Sequence, residues 1–124
     1  MTMDKNTGSH QRPTVNIYSA GEKGSHHYGK MLEALIAGIE EEGIPYRIVE
    51  YSDGDALFLG NQAAQDSSLG VGIGIEKNLK IAVHYHKIPA GKPLFCLEEN
   101  PVLEGVRILG GNAAKLVKGY PFKF

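Results

Sequence analysis

The sequence predicts an α/β fold, a three-layer α/β/α sandwich around a mixed, mostly parallel sheet of about five strands. Apolar residues alternate with period two in short runs that are separated by amphipathic helical stretches, in the order β, α, β, α, β, β, β, α. Strands that alternate with helices need crossover connections, which place helices on the faces of the sheet. The 124 residues, 42% of them hydrophobic, suit one domain. We expect that domain at 13–124, after a mobile polar tail at 1–12.

The first strand and helix are indicated by a short β-type run at 14–18, a glycine-containing loop and a helical stripe. Ser25 is suited to cap a helix over 26–42. Gly43 accepts the left-handed conformation that ends many helices, and Pro45 prevents the helix from resuming. The buried stripe of this helix is predicted to contain Met31, Leu32, Leu35, Ile36 and Ile39.

The second strand is predicted at 46–51, and a weaker helical pattern follows at 56–65. Gly60 lies in the middle of that pattern and disfavours one unbroken helix. The third strand, at 70–75, alternates glycine with branched aliphatic residues.

This alternation leaves one face of the third strand without side chains, because successive residues of a strand point to opposite faces. Gly70, Gly72 and Gly74 form the bare face. Some other part of the structure must pack closely on it, and we expect an interface with a partner there.

The last elements are a hairpin, a short strand and a helix. A turn at 76–78 leads into a period-two run at 79–85, so these strands should be antiparallel. A short apolar strand is predicted at 94–97. The final helix should extend from about 102 to 118 and stop at Gly119.

Charge and composition exclude several classes of protein. Thirteen basic and fourteen acidic residues give a net charge of -1, which argues against nucleic-acid binding. No apolar run approaches the ~20 residues that span a bilayer, and the N-terminus lacks the apolar stretch of a secretory signal. Cys96 is the only cysteine, and its apolar neighbours suggest a buried, inert thiol. We expect a cytoplasmic protein, with association to a microcompartment as a second option.

Three consecutive glutamates, Glu40, Glu41 and Glu42, stand at the predicted C-terminal end of the first helix. The helix dipole disfavours anions there by about 0.3–1 kcal/mol each. An isolated acidic run is usually a solvated helix end. A local misfit in an otherwise consistent sequence is also typical of a functional site, so both interpretations stay open.

Two further patterns are candidates for binding. The loop 21–24 follows a strand and precedes a helix, so its amides could hold an anion, although it lacks the order of a P-loop. The histidine pairs His26/His27 and His84/His86 could contribute to a metal site, although no third ligand is nearby in sequence. A small metal- or nucleotide-binding protein is therefore one alternative. No complete active centre is recognisable, which favours a binding or accessory role.

Two segments are more specific than these patterns, namely 38–47 (GIEEEGIPYR) and 110–122 (GGNAAKLVKGYPF). Together with Val83, His84 and Tyr85 and the later 89–90 and 93–95, they resemble the small subunit of the adenosylcobalamin-dependent diol and glycerol dehydratase reactivases. The resemblance extends in order from about 15 to 122.

The resemblance implies an accessory protein without catalytic activity or a cofactor of its own. In that family a large, chaperone-like subunit binds and hydrolyses ATP, and the small subunit joins it in a heterotetramer. The complex releases damaged cobalamin from an inactivated dehydratase. The implied partners are the large subunit and the dehydratase, with magnesium and ATP or ADP on the large subunit. Alone, the surface meant for a partner would favour self-association into a homo-oligomer.

The resemblance also implies a role for the acidic run. In the family a glutamate from this helix end completes the magnesium shell of the large subunit, and the middle residue, Glu41, is its counterpart here. Glu40 and Glu42 would add negative potential or pair with basic residues of the partner. The runner-up is the medium subunit of the dehydratase itself or a stand-alone relative; the short lead before the first strand favours the reactivase.

Overall fold

The computed structural model describes residues 13–87, 92–99 and 101–119. The tail predicted at 1–12 lies outside the described residues, as do 88–91 in the connection before the last strand, and 120–124. Within the described ranges, no helix has the length and apolar character needed to cross a membrane.

Within these described ranges, five strands form one mixed sheet in the order β2-β1-β3-β4-β5. β1 pairs in parallel with both β2 and β3, while β4 is antiparallel to its neighbours β3 and β5. The predicted hairpin and the single antiparallel member are thus confirmed. The strands are β1 Val15–Ser19, β2 Tyr46–Glu50, β3 Val71–Ile75, β4 Ile81–Tyr85 and β5 Phe95–Leu97.

In the part of the chain that the structure describes, three helices cover the two faces of the sheet: α1 His26–Glu41, α2 Ala56–Asp66 and α3 Leu103–Lys118. α1 and α3 pack together over one face, where the aliphatic side chains of β1, β3 and β4 form the main core. α2 packs on the opposite face against β3, β4 and β1. The predicted α/β/α sandwich is confirmed.

The ends of α1 agree with the sequence. The Ser25 hydroxyl accepts a hydrogen bond of 3.3 Å from the amide of Tyr28, as an N-cap does. Gly43 follows the helix with a φ of 73°. Gly119 ends α3 in the same left-handed conformation, with a φ of 75°.

The bare face of β3 is covered by α2 of the same chain. A Cβ on Gly72 would overlap the backbone amide nitrogen of Ala64, and a Cβ on Gly74 would overlap the backbone of Gly60. Gly70 precedes β3 with a φ of 77°, and it is buried beside the imidazole of His86 rather than under α2. The close contact predicted for these glycines exists, but it is internal, so their assignment to an interface with a partner is corrected.

α2 is one unbroken helix that includes Gly60. A small residue is required at this position because the helix packs closely against the sheet. A Cβ on Gly60 would lie 3.1 Å from the carbonyl oxygen of Ala82 and 3.2 Å from the amide of Gly74. Asp55 caps the helix by accepting from the amide of Phe58 at 2.7 Å. The helical pattern is weak because the buried side of α2 consists largely of small residues, which allow close contact with the sheet but do not form a wide apolar stripe.

Cys96 is exposed, so its predicted burial is wrong. It lies on the edge strand β5 opposite Ala82, on the side of the sheet that α2 covers over β1, β3 and β4. Its apolar neighbours Phe95 and Leu97 point to the other side and pack against the main core.

Candidate functional site

The acidic end of α1 lies against α3, and glycines bring the two helices together. A Cβ on Gly38 would overlap the carbonyl oxygen of Arg107 and lie 2.8 Å from the amide nitrogen of Gly111. A Cβ on Gly110 would overlap the carbonyl oxygen of Leu35. Because the backbones approach so closely, charged side chains at the end of α1 reach those of α3.

Glu42 is held by two lysines of α3. Its carboxylate accepts a hydrogen bond from Lys115, and the Lys118 ammonium donates to the Glu42 carbonyl oxygen at 3.0 Å and to Oε1 at 3.4 Å. The hydrogen bond from Lys115, followed by the charge of Lys115 and the contact with Lys118, lowers the pKa of Glu42 against the opposing effect of desolvation. With 16% of its side chain exposed, Glu42 is an internal anchor.

Glu41 differs from Glu42 in exposure and in the number of its partners. Its carboxylate pairs with the Arg107 guanidinium of α3, and both side chains are roughly half exposed, at 49% and 45%. The same guanidinium reaches Glu104, one turn earlier on α3, with 3.7 Å between Nη1 and Oε1. Glu41 is therefore a solvent-facing carboxylate with one exposed counter-ion.

Glu40 is exposed, and among the described residues no ion pair is found for its carboxylate. The three glutamates thus occupy three different environments. The basic residues of α3 offset the electrostatic misfit at the end of α1, since cations near this helix terminus are favourable. A small surface cleft of about 60 Å³ lies here, and the charged side chains that line it are those of Glu41, Glu42, Glu104, Arg107 and Lys115.

The basic partners of the acidic run are the part of the site that sequence reasoning missed. Arg107, Lys115 and Lys118 lie 66 to 76 positions along the chain from the glutamates they contact. A usable signal is the pairing of small residues, Gly38 with Gly110 and Gly111, which marks a close crossing of two helices.

The histidine pairs do not converge on a site. Within 13–87, 92–99 and 101–119, no group of three or more His, Cys, Asp or Glu side chains is arranged to hold a metal ion. His84 is 2% exposed, and neither of its ring nitrogens has a hydrogen-bond partner among the residues that the structure describes. Burial lowers the pKa of His84, so the ring stays neutral at neutral pH.

The loop 21–24 borders a wider surface depression of about 230 Å³ between the start of α1 and the β3–β4 turn. The amide of Gly21 donates to the hydroxyl of Ser19 at 3.1 Å, so this donor is already used. Glu22 and Glu99 line the same depression. Lys77 lines it as well, so the two carboxylates outnumber the one lysine and the charge balance does not favour a phosphate there.

Residues 12–123 of the chain match the family model described as the dehydratase medium subunit. A propanediol dehydratase-reactivating factor small subunit from Salmonella typhimurium is 37% identical over 121 residues, which cover 98% of this chain and 97% of the relative. A diol dehydratase-reactivating factor small subunit from Klebsiella michiganensis is 43% identical over 89 residues, covering 72% and 70%.

Two solved structures are similar in fold as well as in sequence. A diol dehydratase-reactivating factor complexed with ADP and Mg²⁺ contains a chain with a TM-score of 0.79 and 38% identity, covering 92% of this chain and 100% of that one. A glycerol dehydratase reactivase contains a chain with a TM-score of 0.81 and 34% identity, covering 91% and 98%.

Proposed function

Because the chain belongs to the family of diol and glycerol dehydratase-reactivating factor small subunits, we propose that it is the non-catalytic small subunit of an ATP-dependent reactivase. In this proposal a large partner subunit binds and hydrolyses the nucleotide, and the two assemble as a heterotetramer in the cytoplasm. The complex acts on a cobalamin-dependent dehydratase and releases damaged cofactor. The small subunit contributes contacts, with no cofactor of its own.

The reactivase role is favoured over the runner-up, the medium subunit of the dehydratase. The family model that matches the chain is described as that medium subunit, so the family model alone does not favour the reactivase. The full-length curated relative and both similar solved structures are reactivating factors. The metal-binding alternative based on the histidine pairs gains no support from the described residues.

The observation that carries the proposal at the residue level is the difference between Glu41 and its neighbour Glu42. Glu42 is tied to Lys115 and Lys118 with little exposure, whereas Glu41 faces solvent and is held by one exposed arginine. Of the two ion-paired glutamates, Glu41 is therefore the one that is available to another chain. We propose that it is donated to the magnesium ion on the large subunit.

The residues present suit a donated ligand rather than a complete magnesium site. Mg²⁺ is commonly bound by one or two carboxylates together with phosphate oxygens and several waters. The Glu41 carboxylate can supply one such oxygen, and the nucleotide on the partner would supply the phosphates. A diol dehydratase-reactivating factor, one chain of which is matched over its whole length, was solved in complex with ADP and Mg²⁺.

Calorimetric titration of the chain into its large subunit tests this role. With ADP and Mg²⁺ present, Glu41→Gln should weaken association by about tenfold or more, that is by about 1.4 kcal/mol. With EDTA in place of Mg²⁺, wild type and variant should bind alike. Glu33→Gln is the matched control, because it removes the same charge from an exposed position of α1 about two turns away, outside the acidic run. Equal affinities of wild type and Glu41→Gln in Mg²⁺ would contradict the proposal.

A further inference from the structure

Arg107 forms a bridge between two carboxylates on two helices. Its Nη2 faces Glu41 on α1, and its Nη1 faces Glu104 on its own helix α3. A planar guanidinium can serve two carboxylates at once through separate N–H groups, which a lysine ammonium does with less geometric definition. Glu41 and Glu104 therefore share one cation.

From this arrangement, and resting on the proposed function of Glu41, we propose that Arg107 is a positioning residue that holds Glu41 in the free chain and releases it to the partner's metal. On release the guanidinium moves fully onto Glu104. Arg107 thus competes with the metal for the carboxylate, and Glu104 is the acceptor that makes the exchange possible.

The free-energy cost of the exchange is small because every side chain involved is at the surface. The exposed fractions are 49% for Glu41, 45% for Arg107 and 66% for Glu104. Ion pairs between exposed side chains contribute little to stability, so breaking one costs little. After release, Arg107 still has a carboxylate on the same helix one turn away, so no cation is left unpaired.

The neighbouring contacts show why only Glu41 is exchangeable. Glu42 is held by two lysines that are themselves only 18% and 26% exposed, and one of them, Lys118, also binds the Glu42 backbone carbonyl. Moving Glu42 would disturb the end of α1. Glu42 fixes the helix end in place while Glu41, one residue earlier, changes partner.

The test is calorimetry of association with the large subunit in ADP and Mg²⁺, with thermal unfolding of each variant as a check on folding. Removing the competitor with Arg107→Gln should strengthen association about two- to fivefold, the range expected from one exposed ion pair. Glu104→Gln should weaken association, because Arg107 then has no second carboxylate. The double variant Glu41→Gln/Arg107→Gln should bind like Glu41→Gln alone.

Lys30→Gln is the charge-matched control, since Lys30 is an exposed residue of α1 to which no ion pair is assigned among the described residues. It should leave the affinity within about twofold, as expected for a screened distant charge. If Glu41→Gln weakens binding but Arg107→Gln leaves it unchanged or weaker, the exchange is refuted and the proposed function stands. If Glu41→Gln has no effect, the proposed donation of Glu41 to the metal fails and the exchange fails with it.

Discussion

Glycines allow close backbone contacts on both faces of the sheet, but the contacts have different roles on the two faces. On the α2 face, Gly72 and Gly74 let a helix backbone rest directly on β3. On the α1/α3 face, Gly38 and Gly110 let two helices touch each other above a layer of branched aliphatic side chains. The first contact is internal packing. The second brings charged side chains together at the solvent edge, where they form the candidate site.

The largest effect is expected on the α2 face. Gly72→Val should displace α2, because the added side chain meets backbone atoms of Ala63 and Ala64 that cannot move independently of the helix. We expect a loss of at least about 3 kcal/mol in the free energy of unfolding, measured by urea denaturation.

The neighbouring Ile73 provides the control for this prediction, because its side chain points to the α1/α3 face. Ile73→Val removes one methylene from the main core and should cost only about 1 kcal/mol. A folded Gly72→Val protein with wild-type stability would contradict the description of the α2 face as a backbone-to-backbone contact.

A smaller effect is expected at the rim of the α1/α3 face, where the Lys115 contact lowers the pKa of Glu42 from its ordinary value of 4.5. A carboxylate whose pKa is lowered by folding stabilises the native state fully above its unfolded-state pKa. This contribution is lost as the pH falls through the lowered, folded-state pKa. Glu42→Gln should therefore reduce the melting temperature at pH 7 and reduce the further loss of stability below about pH 4.5.

Thermal unfolding of wild type and Glu42→Gln between about pH 7 and pH 3 measures this difference. The buried His84, which also makes the fold sensitive to acid, is common to both proteins and cancels in the comparison. Glu40→Gln should follow the wild-type curve. Parallel curves for wild type and Glu42→Gln would show that Glu42 is not the anchor described here.

Much of the fold was predictable from local pattern. A few consecutive residues are enough to predict the capped helix α1, the hairpin of β3 and β4, and the glycine that ends α3. α2 was the weakest prediction because Gly60 and its alanines give little amphipathic signal. The same small residues allow α2 to pack closely on β3. Their role is therefore apparent only when the position of β3 is known.

The site was predictable only in part, for a related reason. The acidic run is local, and its conflict with the helix dipole directed attention to the end of α1, where Glu41 and Glu42 form ion pairs with α3. Its partners Arg107, Lys115 and Lys118 come from a distant helix, and their arrangement depends on the crossing at Gly38. The difference in exposure and partners between Glu41 and Glu42 depends on that helix crossing, so it could not be predicted from neighbouring residues alone.

Pulsed electron paramagnetic resonance on an assembled complex can show whether the Glu41 carboxylate binds the metal of the large subunit. The complex would contain unlabelled large subunit, ADP, Mn²⁺ in place of Mg²⁺, and this chain labelled with ¹³C at its glutamate carboxyl groups. If Glu41 binds the metal, a ¹³C coupling to Mn²⁺ is expected that is retained in Glu42→Gln and lost in Glu41→Gln. A wild-type complex without that coupling, or a coupling that survives in Glu41→Gln, would contradict this assignment.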